Sequence, residues 1–412
     1  MKRKLFKQIR AEWRTNVWLA LELLIVSVVM WYIVDYFYIN LTIMSQPRGY
    51  DTEHCYRLSF NTVTDKNPGF IKDRTYEETC SDADEILTRL KHLPFVEAAS
   101  LSVNSHPYNG SSNGTSIQRD SLTQYGFLPF YQVTPDFVKV FRYEGFGGES
   151  AEQMADMIEK GEILMAGSVF GDLKYSAENL VGLDFTLDGD TTRTYRLGAA
   201  LRPVRHNDYT EWGTVLVKKL PLEYYGWAGE YCIRVRPDMD RDIEKQLMDM
   251  SESLFHVGNN LLVNVTSFKF VRERYQQAQS NQMRDMIFLL CFLLLNIFLG
   301  LFGTFWFRTQ QRTGEIAIRM SMGATKTDIF RRLLTEGLIL LVIVTPFAVA
   351  LDCLLAWNEF SQFYEYSHIG WGRMTVTCCG AFLLIALMIA GGIWIPASRA
   401  RRIQPAIALK DE

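Results

Sequence analysis

The stretch Gly314–Gly337, GEIAIRMSMGATKTDIFRRLLTEG, lies between two long apolar segments and decides how the whole chain is interpreted. Its first half predicts a short amphipathic helix. The apolar residues on one face of that helix are Ile316, Ala317 and Met320. Gly323 comes at the end of this half, and glycine readily adopts the left-handed conformation that terminates helices. We therefore expect a helix that stops at Gly323.

The second half of the stretch predicts the beginning of another helix. Thr325 and Asp328 have the spacing of a capping box, and an acidic side chain is favourable at the positive end of a helix. An ordinary basic turn between two spans is the alternative. Such a turn needs neither caps nor exposed apolar residues, whereas an amphipathic helix outside the membrane needs a groove to occupy. The stretch therefore predicts a rigid element that contacts a partner.

Four segments are apolar over roughly 18 residues or more, which is long enough to span a bilayer. They are residues 17–44, 286–307, 333–357 and 374–395. The polar block between the first two, residues 45–285, is long enough to hold its own core. The predicted fold class is an α-helical membrane protein with four transmembrane helices and a large α+β extracytoplasmic domain between helices 1 and 2. The other predicted segments are an amphipathic N-terminal helix (1–16), a cytoplasmic loop (308–332), a short external loop (358–373) and a tail (396–412).

The basic residues predict the orientation of the spans. Lysine and arginine outnumber acidic residues in segments 1–16, 308–332 and 396–412. Cytoplasmic segments of membrane proteins carry this excess, so both termini are expected in the cytoplasm and residues 45–285 outside. A cleaved signal peptide describes the first segment poorly, because its apolar core is too long and no small-x-small cleavage site follows it.

Residues 45–285 begin and end with the same order of predicted elements. Near the start, alternation at Tyr56–Phe60 predicts a strand. Ser81 and Asp84 predict a capping box for the helix that follows, and Val96–Val103 predicts a second strand. Near the end, a strand, a helix and a strand are predicted at 231–235, 241–254 and 261–268. Two such halves around a middle section predict one split α/β subdomain.

The middle section, roughly residues 128–220, has short β-like runs broken by glycine and aspartate, which predicts a β-rich insertion. The tract Asn104–Thr123 is rich in Asn, Ser, Gly and Thr and predicts a mobile loop. From Lys269 onward no helix breaker precedes the second span. The sequence therefore predicts one continuous helix from the external domain into the membrane.

No catalytic arrangement is found in the sequence. The six histidines fall in no metal-ligand spacing, so no metal site is predicted. A Walker A loop needs a Gly-Lys pair to hold phosphate, and no Gly-Lys dipeptide occurs, so no cofactor is expected in this chain. Cys55, Cys80 and Cys232 lie in the external block. Cys55 and Cys80 can pair in an oxidising compartment, although the odd number of external cysteines leaves the disulfide open.

Two motifs give the chain a family resemblance. The run from Glu315 to Phe330, followed by Glu336-Gly337, resembles the signature of FtsX-like ABC transporter permeases. The tail from Ile395 to Leu409 resembles the end of the same family. Its matching residues are Pro396, Arg399, Pro405 and Leu409. In the external block, Val133–Phe141 resembles the pattern of the macrolide-exporter, MacB-like branch.

The resemblance implies a permease subunit that works as a homodimer or as a heterodimer with a related permease. It implies a bacterial inner membrane with the large domain in the periplasm. A cytoplasmic ABC ATPase, a separate chain that binds ATP and Mg, would dock on the loop. The residues implied for ATPase coupling are Gly314, Glu315, Ile316, Ile318, Arg319, Gly323 and Ala324, with Thr325 and Asp328 as the cap of the second helix. Met320 and Met322 stand where the family often has a basic residue and a leucine, which puts the choice of partner in doubt.

The implied mechanism is mechanotransmission, in which closure of the ATPase moves the loop and the helices carry that motion outward. Efflux of a drug, a peptide or a similar compound, with an adaptor protein and an outer-membrane channel, is the first expectation. A lipoprotein-releasing permease is the second. A transmembrane sensor or regulator of an envelope partner belongs to another class, and the tail after Pro396 is short for the signalling domain that a sensor needs. No enzymatic activity and no nucleic-acid partner are expected.

Overall fold

A computed structural model describes residues 13–119, 122–170, 175–311, 314, 318–319, 321–358 and 370–400. The chain divides into two compact units. The membrane unit comprises the described residues up to Thr42 and those from Ser280 onward, and the inserted domain is Ile43–Gln279.

The helices with assigned bounds are α1 (Trp13–Ser45), α2 (Tyr76–Lys91), α3 (Phe137–Val140), α4 (Ala151–Glu159), α5 (Ala177–Leu180), α6 (Ile243–Asp249), α7 (Ser251–Leu254), α8 (Phe268–Tyr275), α9 (Gln277–Gln311), α10 (Lys326–Trp357) and α11 (Trp371–Ala400). The strands are β1 (Cys55–Thr62), β2 (Val96–Val103), β3 (Asn113–Arg119), β4 (Leu122–Val133), β5 (Ile163–Ala166), β6 (Asp184–Leu187), β7 (Tyr195–Ala200), β8 (Val204–Arg205), β9 (Trp212–Gly213), β10 (Val215–Lys219), β11 (Glu230–Val235), β12 (His256–Val257) and β13 (Asn260–Ser267). The 3-10 helices with assigned bounds lie at Leu222–Trp227 and Pro237–Met239.

Four helices of the described residues are long and apolar enough to cross a membrane. Their candidate spans are Ala20–Ser45 in α1, Gln277–Gly300 in α9, Thr327–Trp357 in α10 and Trp371–Trp394 in α11. The α+β domain lies between the first and the second of them. The predicted fold class is confirmed.

Two polar contacts join α1 to α11 inside the membrane unit. Arg373 Nε and Nη2 donate to the two carboxylate oxygens of Asp35 at 2.8 and 2.5 Å, and Asp35 is buried. Trp31 Nε1 donates to Thr377 Oγ1 at 3.0 Å. The apolar core of the same unit includes Met30, Ile385 and Ile389. Because unpaired polar groups are costly in an apolar interior, these pairs hold α1 and α11 in one register.

An open antiparallel sheet forms one part of the inserted domain, in the order β2-β11-β1-β13-β12. Tyr56 in β1 lies opposite Ile233 in β11 and Ser267 in β13. In the next pair, Leu101 of β2 lies opposite Tyr231 of β11. Strands from the two ends of the domain therefore alternate in the sheet, which confirms the split α/β subdomain.

α2 begins earlier than the sequence predicted. The Thr75 hydroxyl accepts from the Glu78 amide, and the Glu78 carboxylate accepts from the Thr75 amide, so these two residues form the capping box. Ser81 lies inside the helix, and the predicted box at Ser81 and Asp84 is wrong. Both patterns fit the same rule, but the earlier start adds a turn of helix that buries more apolar surface.

The extra turn of α2 brings Cys80 into the core between this helix and the sheet. Ile86 and Leu90 on the same face are fully buried, and each contributes roughly 1.5–3 kcal/mol through the apolar area it removes from water. The opposite face of the sheet is covered by α3 and α8, with Phe137, Phe141 and Phe268 in contact there. The sheet thus separates two cores.

The rest of the inserted domain is a closed six-stranded barrel. Its order is β10-β5-β7-β6-β3-β4, and β4 pairs back onto β10, with Leu216 opposite Phe130. The interior is filled by apolar side chains that include Ile117, Leu128, Met165, Phe185, Leu197 and Leu216. β4 also pairs with β2 and so joins the barrel to the open sheet. Closure leaves the barrel without a free edge.

Two predictions about segment type are wrong. Asn104–Thr123, predicted as a mobile loop, contains β3 and the beginning of β4, because pairing with β4 and β6 overrides its polar composition. The helix predicted to run unbroken from Lys269 into the membrane is interrupted at Gln276, where φ is −92° and ψ is 7°. One residue, Gln276, therefore separates the end of α8 from the beginning of α9.

The disulfide considered for Cys55 and Cys80 is not formed, and both residues are free, buried thiols. They lie in different cores, one on each side of the sheet. Cys55 Sγ lies 3.2 Å from the carbonyl oxygen of Val140, whereas Cys80 Sγ accepts from the Gly226 amide at 3.3 Å. Burial raises the pKa of Cys55 to about 12, so this thiol is unreactive at neutral pH.

Candidate functional site

The segment between α9 and α10 ends in a tight turn. Its described helical residues are Gly314, Ile318, Arg319 and Ser321. The Met322 amide donates to the Ile318 carbonyl at 3.1 Å, and the Ala324 amide donates to the Arg319 carbonyl at 3.0 Å. Gly323 lies between them with a φ of 96°. An amide that reaches five residues back across a left-handed glycine is the Schellman arrangement, so the helix stops where the sequence predicted.

A reciprocal capping box begins α10 two residues later. Thr325 Oγ1 accepts from the Asp328 amide at 3.2 Å, and Asp328 Oδ2 accepts from the Thr325 amide at 3.0 Å. The Thr325 hydroxyl also donates to the same carboxylate oxygen at 2.6 Å. The predicted cap is confirmed. Because one helix is terminated and the next is capped within a few residues, little backbone freedom remains between them.

The first turns of α10 are anchored in the membrane unit. Ile329 and Leu333 are buried in its core. The Phe330 ring lies 5.4 Å from the Trp394 ring of α11, at an interplanar angle of 80°. The capped turn is therefore continuous with a helix that packs against α11.

The helix before Gly323 exposes apolar side chains. Ile318 is 46% exposed and Met322 is 75% exposed. Residues four apart lie on the same face of a helix, so the two form one apolar strip. Methionine adapts its shape to an irregular surface, which suits a contact with another protein. We call residues 318–328, with this strip and the two caps, the coupling segment.

Several predicted site residues lie outside this geometry. Glu315, Ile316, Pro405 and Leu409 are not among the described residues. α11 passes through Pro396 and Arg399. Within the part of the chain that the structure describes, no three His, Cys, Asp or Glu side chains are close enough to hold a metal ion. The groups present in the coupling segment are suited to binding and to holding a shape.

A groove of about 1030 Å³ lies in the inserted domain, and the sequence did not reveal it. Rings from separate segments line it, namely Phe130, Tyr195, Tyr224, Tyr225 and Trp227. Leu222 and Trp227 at its rim are largely exposed. β4, β7 and the 3-10 helix Leu222–Trp227 come together only after folding. The spacing of their residues along the sequence therefore does not predict this groove.

Charged side chains border the aromatic lining of the groove. Lys218 Nζ lies 4.6 Å from the centre of the Tyr195 ring, which is cation–π geometry. Lys219 Nζ contacts Glu159 Oε1 at 2.6 Å. The lining also contains Asp84 and Arg193. Aromatic faces with a few charges of both signs suit an amphipathic ligand.

Comparison with known protein families gives a match to the region that contains the coupling segment. Residues 287–405 match the family model described as FtsX-like permease C-terminal. This stretch, less than a third of the chain, is similar to the FtsX-like permease domain. The match covers the described residues of the coupling segment, the whole of α10 and α11, and most of α9. The family resemblance inferred from the sequence motifs is therefore confirmed.

Curated relatives match a smaller share of the chain. The macrolide export ATP-binding/permease proteins MacB of Salmonella typhi and of Salmonella typhimurium are 23% identical over 190 residues. That region is 45% of this chain and 28% of each relative. The match thus spans less than a third of the length of these relatives.

Two solved structures resemble about half of the chain. The extracellular domain of the noncanonical ABC-type transporter YknZ from Gram-positive bacteria has a TM-score of 0.31 and 9% identity, over 51% of this chain and 100% of that domain. A domain of a putative permease protein from Porphyromonas gingivalis has a TM-score of 0.33 and 13% identity, over 53% of this chain and 90% of that domain.

Proposed function

We propose that this chain is the permease subunit of an ABC transporter of the MacB/FtsX mechanotransmission type. A separate cytoplasmic ABC ATPase binds ATP and Mg and docks on the coupling segment. The observation that carries this proposal is the exposed strip of Ile318 and Met322 on a helix that is terminated and followed by a capped helix. An exposed apolar strip on a rigid helix is suited to a groove on a partner.

The described residues have distinct roles in this proposal. Ile318 and Met322 supply the apolar contact. Gly323 and the Thr325–Asp328 cap keep the angle between that contact and α10 constant. α10 then passes the displacement to the helices packed on it. No bond is made or broken in this chain, and ATP hydrolysis takes place in the partner.

The basic segments support a location in a bacterial inner membrane, with both termini and the coupling segment in the cytoplasm. The inserted domain then lies in the periplasm. The permease works as a homodimer or as a heterodimer with a related permease. A dimer presents two coupling segments to a pair of ATPase subunits.

The work of the transporter is efflux of a drug, a peptide or a similar compound, together with an adaptor protein and an outer-membrane channel. The aromatic groove of the inserted domain supports this assignment, because it offers a ligand-sized surface outside the membrane. Isolation with a lipoprotein chaperone, instead of an adaptor and a channel, would favour the lipoprotein-releasing alternative.

The test is co-purification of the full chain with an ABC ATPase encoded beside it. Replacing Ile318 and Met322 by Gln removes the apolar strip and keeps side chains of similar length. We expect about a tenfold loss of bound ATPase, because removal of a central apolar contact typically costs more than about 1 kcal/mol. Met248→Gln is the matched control, since Met248 is an exposed methionine of the inserted domain. A double variant that binds the ATPase as well as the control does would contradict the proposal.

A further inference from the structure

Residues 203–213 hold two segments that are far apart in the sequence. β8 and β9 pair as a short hairpin, with Val204 opposite Gly213 and Arg205 opposite Trp212. The hairpin contacts residues 43–49, where the chain leaves α1, and residues of α8, which leads to α9 across one residue. All of these residues belong to the inserted domain. We call the hairpin with its loop the clasp.

The first contact of the clasp is with the end of α1. Arg205 is 1% exposed, and its guanidinium donates to the carbonyl oxygens of Ile43 at 2.5 Å and Gln46 at 2.6 Å. Both carbonyls lie at the end of α1, where a cation is favourable, and the Ile43 carbonyl also accepts from the Gln46 amide at 3.0 Å. The Arg205 amide donates to the Arg48 carbonyl at 3.0 Å. Arg205 therefore binds the end of α1 with its side chain and the segment that follows α1 with its backbone.

The backbones also approach closely at this contact. Trp212 Nε1 donates to the Pro47 carbonyl at 2.9 Å. Gly49 has a φ of 81°, and a Cβ on it would overlap the Pro203 carbonyl oxygen. Only glycine fits there without strain. The contact of the clasp with residues 43–49 thus depends on the hydrogen bonds of Arg205 and Trp212 and on the absence of a side chain at Gly49.

The second contact is through Asp208, in the loop of the clasp. Arg272 of α8 donates to Asp208 Oδ2 from Nε at 2.6 Å and from Nη2 at 2.5 Å. Arg48 Nε donates to the other oxygen, Oδ1, at 2.7 Å. One carboxylate therefore joins the segment that follows α1 to the helix that precedes α9. The Asp208 side chain is 5% exposed, whereas those of Arg48 and Arg272 are 32% and 38% exposed, so water screens these pairs in part.

The charge of Asp208 is maintained by its two partners. Burial opposes the ionised form, but Arg48 and Arg272 outweigh burial and lower the pKa of Asp208. Without the carboxylate, the like charges of Arg48 and Arg272 would lie close together with no anion between them. Tyr275 of α8 adds a ring contact to His206 of the clasp loop, at 5.9 Å.

We propose that the clasp holds the end of α1 and the helix before α9 at a fixed spacing, so that both transmit motion to the inserted domain as one body. Asp208 and Arg205 are the positioning residues. The proposal deepens the proposed function, because it names the element that receives the motion. It also makes a claim about the chain alone, which can be tested without any partner.

The test is hydrogen–deuterium exchange of the full chain in lipid nanodiscs, followed in peptides that cover residues 43–50, 203–213 and 268–279. Asp208→Asn keeps the shape of the side chain and removes its charge. We expect exchange to accelerate about tenfold in all three peptides together, since they open as one cooperative unit. Glu85→Gln is the matched control, because Glu85 pairs with Arg89 on the exposed face of α2. Acceleration in 203–213 alone, or in only one of the two outer peptides, would overturn the proposal.

If Asp208→Asn unfolds the whole inserted domain, Arg272→Lys is measured instead, and exchange must again accelerate in all three peptides together. It keeps a cation and loses the two-pronged contact with Asp208. The outcome is separable from that of the proposed function. A chain that fails to bind an ABC ATPase contradicts the proposed function and leaves the exchange result standing. A chain that binds the ATPase but shows uncoupled peptides overturns only the clasp.

Discussion

The coupling segment and the clasp both contact the ends of membrane helices, yet they use different interactions. The coupling segment is built from hydrogen bonds between residues at most five apart, and it exposes Ile318 and Met322. The clasp brings Arg48 and Arg272 to the buried carboxylate of Asp208, and the three residues are separated by more than 60 positions in the sequence. One is local and exposed, and the other is long-range and buried.

The difference agrees with the roles that we propose for the two regions. A surface that binds and releases a partner must keep its shape while it is exposed to water, and local caps provide this without a core. A joint that holds two distant segments together needs contacts that resist separation. A shared carboxylate in a buried site provides them, because removing one partner leaves an uncompensated charge.

Two glycines test this contrast with the same substitution. Gly49 in the clasp contact and Gly323 in the coupling segment both have positive φ, and alanine costs roughly 1–2 kcal/mol in that conformation. At Gly49 the new Cβ would also overlap the Pro203 carbonyl, whereas at Gly323 it would meet open space. We expect a loss of about 3 kcal/mol of local stability for Gly49→Ala and about 1 kcal/mol for Gly323→Ala. Hydrogen exchange of the peptides that contain each site measures both.

Gly110→Ala is the control for the glycine pair. Gly110 has open space around the position of a Cβ. The substitution should change local stability by less than about 1 kcal/mol in either direction. Equal losses at Gly49 and Gly323 would show that backbone conformation alone matters, and that the close approach of the clasp does not.

Two capping boxes with the same chemistry provide a second comparison. Thr325 caps α10 in the coupling segment, and Thr75 caps α2 in the inserted domain. Replacing either threonine by alanine should cost about 1 kcal/mol of helix stability. Only Thr325→Ala should lower the stimulation of a bound ABC ATPase, because only that cap fixes the angle of the docking helix. If Thr75→Ala lowered the stimulation equally, the coupling would not depend on the local cap.

The sequence predicted the local features well and the long-range ones poorly. Gly323 and the Thr325–Asp328 box were recognised because a few adjacent residues determine where a helix begins or ends. The box at Ser81 failed because Thr75 offered the same pattern one and a half turns earlier, and burial of Cys80 favoured the longer helix. The capping pattern fits both Thr75 and Ser81, and packing of the longer helix favours the start at Thr75.

The strand β3 and the clasp had no local signal at all. β3 is polar, and only its neighbours β4 and β6 make it a strand. Asp208 lies in an unremarkable loop, and nothing in the sequence links it to Arg48 or Arg272. Charges that meet only after folding are visible in the structure alone, which is why the coupling segment was predicted and the clasp was not.

The smallest predicted effect is a pH dependence of hydrogen exchange, which we expect in the clasp and not in the coupling segment. Burial lowers the pKa of His106, against the opposing effect of the Glu230 carboxylate, and burial also lowers the pKa of His206 in the clasp. Both rings are held neutral, with a ring nitrogen donating to the carbonyl of Pro107 at 2.8 Å and of Asn109 at 3.0 Å.

Because these histidines take up protons more readily in the unfolded chain, their stabilising effect is complete above about pH 6.5 and is lost as the pH falls through the lowered values. We expect hydrogen exchange in residues 203–213 to accelerate between pH 7.5 and pH 5, after correction for the intrinsic rate. Exchange in residues 318–330 should not, since that segment contains no histidine. His206→Gln keeps a donor for the Asn109 carbonyl and should reduce the pH dependence of the clasp. An unchanged pH profile in this variant would assign the effect to His106 and to the core behind the clasp.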